Sequence, residues 1–135
     1  MALVCDTGPL LAALDAADPD HNRCAALLRD ATEDLVVPTL VLAELDYWCH
    51  ERLDVNAWLV FLDDLLEGVY RSEALTPGDL TRCHQLQTAY ADLGVVDASV
   101  VALVERLGET KVATLDHRHF ATLRPAHVSA LSLLP

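Results

Sequence analysis

The stretch MALVCDTGPLLA, residues 1–12, constrains this chain more than any other. The apolar run Ala2 to Cys5 passes directly into Asp6, Thr7, Gly8 and Pro9, and a new apolar run opens at Leu10. An uninterrupted short apolar run suits a central parallel strand buried on both faces. Proline is tolerated in a first helical turn because its missing N–H would have no partner there. The order is therefore strand, carboxylate, helix, which begins an α/β domain. In open α/β sheets, ligands bind in the crevice beyond the carboxyl ends of the strands, and Asp6 is expected there. An aspartate at such a turn can also cap the helix, but Thr7 could do so and leave the Asp6 carboxylate free.

The same pattern returns late in the chain, where Lys111 to Leu115 forms a second short, mostly apolar run that ends at Asp116. Between the two, helical spacing and caps predict helices around Leu10 to Leu14, through Cys24, Leu27 and Leu28 to about Ala31, and from Thr39 as N-cap to Arg52. Further helices are expected from Asp54 to Leu66, from Thr76 to near Tyr90, and from Asp97 as N-cap to Gly108. Strands are expected at Leu35 to Val37, Val69 to Ala74 and, at an edge, Val128 to Leu134. His117, Arg118 and His119 read as a polar, partly cationic loop anchored by Phe120. The two helices Thr39 to Arg52 and Asp54 to Leu66 are joined so closely that they form a hairpin. The stripe Val55, Trp58, Leu59, Leu62, Leu65 and Leu66 is assigned mostly to the core, and the hairpin's outer face could dock a partner helix.

At 135 residues, 53% of them apolar, the chain is a single domain spanning residues 1–135 with a full core. No apolar stretch approaches the ~20 residues of a membrane helix, and no signal peptide is evident at the start. The four cysteines, Cys5, Cys24, Cys49 and Cys83, are widely spaced and form no metal-finger pattern. They read as buried, reduced thiols, which implies a cytoplasmic location. A formal net charge of −12 argues against sequence-independent nucleic-acid binding and favours a basic partner.

Four carboxylates stand out. Asp6 and Asp116 follow strands, Asp97 opens a helix, and Glu44 has Leu40, Val41, Tyr47 and Trp48 as its helical neighbours. A carboxylate ringed by apolar and aromatic side chains is either poorly placed or paired; a buried arginine would be the structural partner, and with few cations in the chain a metal or site role is favoured over it. Acids gathered without counter-charge repel one another, so a cluster implies a cation. All-oxygen donors select hard divalent ions such as Mg²⁺ or Mn²⁺, which activate water against a phosphodiester. Thr7 and Thr114 can orient ligands or water behind them.

The ordered segments VCDTGPLLA, VLAELDYW, VVDASVVAL and VATLDHRHF resemble the PIN-domain nucleases, and most closely the VapC toxins of bacterial toxin–antitoxin pairs. The resemblance spans Ala2 to Phe120. It implies a three-layer α/β/α domain around a mainly parallel sheet, and a Mg²⁺- or Mn²⁺-dependent endoribonuclease that cleaves structured RNA such as tRNA or rRNA. A homodimer and inhibition by a VapB-like antitoxin with a basic tail are implied as well. It carries Asp6, Glu44, Asp97 and Asp116 over as catalytic metal ligands, with Thr7 and Thr114 as auxiliary hydroxyls. Arg118, with His117 or His119, is the first candidate for an RNA phosphate contact. Other readings are a non-toxin PIN nuclease for RNA processing and a catalytically silent PIN module that only binds a partner. A response-regulator receiver would need a phosphoacceptor aspartate on a middle strand, where Pro38 and Leu75 stand instead. A haloacid-dehalogenase-type phosphatase would need a second aspartate where the chain has Gly8.

Overall fold

The computed structural model describes residues 1–135 throughout. In chain order the elements are β1 (Ala2–Cys5), α1 (Thr7–Leu14), α2 (His21–Asp30), β2 (Asp34–Pro38), α3 (Thr39–Arg52), α4 (Val55–Leu66), β3 (Tyr70–Glu73), α5 (Pro77–Ala89), α6 (Val95–Leu107), β4 (Lys111–Ala113), α7 (His117–Thr122) and β5 (Ser132–Leu134). The five strands form one sheet in the order β3-β2-β1-β4-β5. Every pairing in it is parallel.

All four residues of β1 are buried. Successive side chains of a strand point to opposite faces, so β1 is covered on both, which makes the domain a three-layer α/β/α arrangement. The core joins β1, the Leu35–Val37 run of β2, Val112 and Ala113 of β4 and the Ala98–Val104 face of α6. All four cysteines are buried and free. No helix is long and apolar enough to cross a membrane.

The strand order locates the site. The chain leaves β1 toward β2 and β3, then crosses back to place β4 on the other side of β1. The carboxyl ends of β1 and β4 therefore flank the topological switch point, where such sheets open a crevice. This order also differs from the 2-1-3-4-5 order of receiver domains.

Several element boundaries differ from the expectations. The N-cap of α3 is Pro38, with Thr39 already helical, because the fixed φ of proline carries the chain from strand to helix without a side-chain cap. The edge strand β5 contains only Ser132–Leu134. The α4 stripe is not mostly core: Phe61 is the buried residue of that helix, while Val55, Leu59, Val60 and Leu66 are exposed together with Tyr47 of α3. The α3–α4 hairpin therefore keeps an unpartnered apolar outer face.

Candidate active site

Asp6 leaves the end of β1 and occupies the N-cap position of α1, yet its carboxylate caps nothing. Parallel pairing sets Cys5 opposite Ala113, and one residue further the Asp6 amide donates to the Ala113 carbonyl at 2.8 Å. The Thr114 hydroxyl then donates to Asp6 Oδ2 at 2.9 Å, a buried bond between residues 108 apart in the chain. Asp6 is 7% exposed. Burial raises its pKa, with smaller upward contributions from Glu44 and Asp116, against the opposing pull of the Thr7 amide and the Thr114 hydroxyl.

β4 ends at Ala113, so Asp116 lies three residues beyond the strand and not at its end. Residues 117–119 are the first turn of α7 and not a loop. Asp116 makes that turn helical by accepting the His119 amide on Oδ1 at 3.2 Å. Its own amide donates to Thr114 Oγ1 at 3.1 Å. Thr114 therefore links the acids that follow the two central strands, and its amide is held by the Leu134 carbonyl of β5 at 2.8 Å.

Asp97 is not the N-cap of its helix. Gly94 caps α6 and Asp97 sits in the first turn without a capping bond, because the apolar residues Val95 and Val96 are already helical. Near a helix N-terminus the carboxylate remains favoured by the dipole while both of its oxygens stay uncommitted. Its pKa is pushed up to about 6, first by burial, then by Asp6, with Glu44 and Asp116 adding to the rise and His119 opposing it. His119 Nε2 is 3.8 Å from Asp97 Oδ2.

Glu44 is half-buried on α3, beside the Val41–Leu45–Cys49 seam that packs into the core. No arginine or lysine pairs with it, so the structural partner that would have explained it is missing. Its charge is felt at both Asp6 and Asp97. The fold thus brings Asp6, Glu44, Asp97 and Asp116, from four different elements, into one electrostatic neighbourhood.

Cations are spent elsewhere. Of nine Lys and Arg, Lys111 pairs with Glu33, Arg82 with Glu105, Arg106 with Asp79 and Glu73, Arg71 with Glu73, Arg23 with Asp20 and Arg29 with Asp30. Arg52 lies over the Trp48 ring. Only Arg118 and Arg124 lack such a commitment, and they belong to α7 and the segment just after it. A recess of about 320 Å³ beside the acids is lined by Asp116, Arg118, His119 and Thr122. His117, the remaining residue of this turn, is half-buried.

The donor set fits a hard divalent cation. It is all oxygen, it lacks counter-charge, and beside it the buried Thr7 hydroxyl has no partner. No three His, Cys, Asp or Glu side chains already stand together as a closed ligand group, so a cation would have to draw the carboxylates inward. Sequence reasoning named these residues but missed the contact of His119 with Asp97. Nothing in the spacing of two residues on different helices could have paired them.

The PIN domain family model matches residues 3–124. The chain is 34% identical to Ribonuclease VapC26 of Mycobacterium tuberculosis (strain ATCC 25618 / H37Rv), over 98% of this chain and 100% of that protein. Its fold is similar to that of Mycobacterium tuberculosis VapC20, described as a Sarcin-Ricin loop cleaving toxin, with a TM-score of 0.79 at 19% identity over 85% of this chain and 90% of the other. VapBC2 from Rickettsia felis, solved bound to a DNA fragment from its promoter, gives 0.69 at 17% identity over 98% and 97%. The chain belongs to the PIN-domain family, on its VapC-type branch.

Proposed function

We propose that this protein is a divalent-metal-dependent endoribonuclease and the toxin of a toxin–antitoxin pair, cleaving structured RNA such as a tRNA or rRNA loop. The observation that carries this reading is the gathering of Asp6, Glu44, Asp97 and Asp116 at the switch point with no lysine or arginine to neutralise them. The kinship with a ribonuclease over the full chain supports it, and the similarity to a toxin that cleaves the sarcin-ricin loop supports the RNA class.

Asp6, Asp97, Asp116 and Glu44 would hold Mg²⁺ or Mn²⁺. When bound, the ion activates water and stabilises charge developing on the phosphodiester. The rest is done by the chain itself. Thr114 fixes the rotamer of Asp6 through its hydroxyl and orients Asp116 through that residue's amide. The free Thr7 hydroxyl is available to an attacking water or a substrate oxygen. Arg118 lines the adjoining recess, where it meets an RNA phosphate, with His117 and His119 beside it. A few placed contacts of this kind suffice for a folded RNA target, so the negative surface is no obstacle.

That surface favours a partner with a basic tail, the chemistry expected of a VapB-like antitoxin. The apolar outer face of the α3–α4 hairpin supplies the area against which such a partner, or a second copy in a homodimer, could pack. Four buried, unpaired thiols accord with action in the cytoplasm.

The test is cleavage of total cellular RNA by the purified protein with Mg²⁺ or Mn²⁺ against chelator, beside Asp97→Asn. Metal-dependent cutting at a few discrete sites, lost in the variant, is the expected result. Intact RNA with both proteins, across substrates that include folded tRNA and rRNA, would overturn it.

A further inference from the structure

Only two buried polar side-chain atoms in the molecule lack a hydrogen-bond partner, Thr7 Oγ1 and His119 Nε2. Buried polar groups are nearly always paired, so each orphan calls for a reason. The imidazole is not loosely placed. Its backbone amide is bound by Asp116 Oδ1 at 3.2 Å, and its ring stands edge-on to Phe120 with centroids 6.2 Å apart. Phe120 is itself 1% exposed. The orphaned Nε2 faces Asp97 Oδ2 at 3.8 Å, too long for a hydrogen bond and with no nearer acceptor. Asp97 is the complement, since its carboxylate accepts no hydrogen bond from any protein group.

We propose that His119 is a positioning residue for the metal centre, its Nε2–H closing onto Asp97 Oδ2 and leaving the other carboxylate oxygen to the cation. This inference rests on the nuclease reading above and gives His119 a duty other than RNA contact. It completes a path already present on three sides. Thr114 donates to Asp6, the Asp116 amide donates to Thr114, and the His119 amide donates to Asp116. With the fourth link, the acids at the starts of α1, α7 and α6 share one hydrogen-bonded frame. The frame requires only a proton on Nε2. Partners of this kind behind ligating carboxylates set ligand orientation and typically change metal affinity 10–100-fold when lost.

The full-length protein serves for the test. Nitrogen-15 shifts of the wild-type imidazole, recorded without metal, should report a proton on Nε2, and an Nε2 that carries none would overturn the proposal. Calorimetric titration with Mn²⁺ should show His119→Leu weakened about 10–100-fold and His119→Gln, which restores an N–H donor, within about threefold of wild type. On RNA, His119→Leu should lower kcat and leave KM unchanged. Unaltered Mn²⁺ affinity in His119→Leu, or a loss confined to KM, overturns the positioning role, the latter assigning His119 to the substrate instead. A wild-type protein that neither binds Mn²⁺ nor cuts RNA overturns the nuclease reading itself, an outcome distinct from a competent wild type matched by His119→Leu.

Discussion

At the scale of single residues, the site is held in tension. Burial and three neighbouring carboxylates lift Asp97 to about 6, above the ~3.9 of an unfolded aspartate. A folded pKa above the unfolded one means the native state binds more protons between the two values, so this group's contribution to stability is fully present below pH 4 and is lost as pH rises through 6. At full strength the shift would be worth about 3 kcal/mol, which water over the exposed part of the group reduces to ~1 kcal/mol. In chelator, Asp97→Asn should therefore be as stable as wild type near pH 4 and melt about 3–5 °C higher at pH 7. Thermal scans across that range check it, and a constant difference at every pH would contradict it. Mg²⁺ or Mn²⁺ should raise the wild-type Tm and leave Asp97→Asn nearly unmoved, because a ligand that binds only the native state stabilises it. Thr114→Val keeps the shape but strips the Asp6 carboxylate of its buried donor. That should cost about 1–3 kcal/mol in urea unfolding and most of the cleavage activity.

Elements show what could be read in the residues and what could not. The opening β1–Asp6–α1 unit was legible because an uninterrupted apolar run, a carboxylate and an early proline all point the same way. α5 was legible because Thr76, Pro77 and Asp79 spell a helix start, and the capping box is present. Asp79 there does double duty. It takes the Thr76 amide at 3.0 Å, and Arg106 of α6 at 3.0 Å, while 3% exposed. Asp79→Ala should cost about 2–3 kcal/mol by urea unfolding, and Thr76→Ser, which keeps the cap, should be near neutral. α7 was not legible. Six residues give no helical period, and its formation depends on Asp116 capping it from outside. Nor was the start of α6, since Val95 and Val96 offer no side-chain cap and a glycine takes the position. The outward turn of Val55, Leu59 and Leu66 was hidden for another reason: periodicity gives a stripe but not which side of it meets the sheet.

For the molecule as a whole, the choice of four acids came from motif order, but their convergence depends on a register between β1 and β4 that no local pattern encodes. Charge also acts at this scale. With six of nine cations in ion pairs and one over an indole, Arg118 and Arg124 alone remain for phosphates. Affinity of Asp97→Asn for target RNA, followed by anisotropy against salt, should fall with a log–log slope no steeper than about −2, since each phosphate contact contributes roughly −0.7 on a single strand and roughly −0.9 on a duplex. Arg118→Ala should remove about half of that slope. A steep slope would mean that RNA is gripped by an array of phosphate contacts this chain does not possess. The wide separation of the acids along the chain has one further result. Synthesis proceeds from the amino end, so a chain growing on the ribosome carries Asp6 and Glu44 well before Asp97 and Asp116. Its central strand stays paired on one side until residues 111–113 arrive, and Thr114 lacks its anchor until Leu134 is made. A chain that stops before Asp116 therefore lacks one of the four clustered carboxylates, and one that stops before Leu134 has all four but leaves Thr114, the residue that ties Asp6 to Asp116, without its anchor.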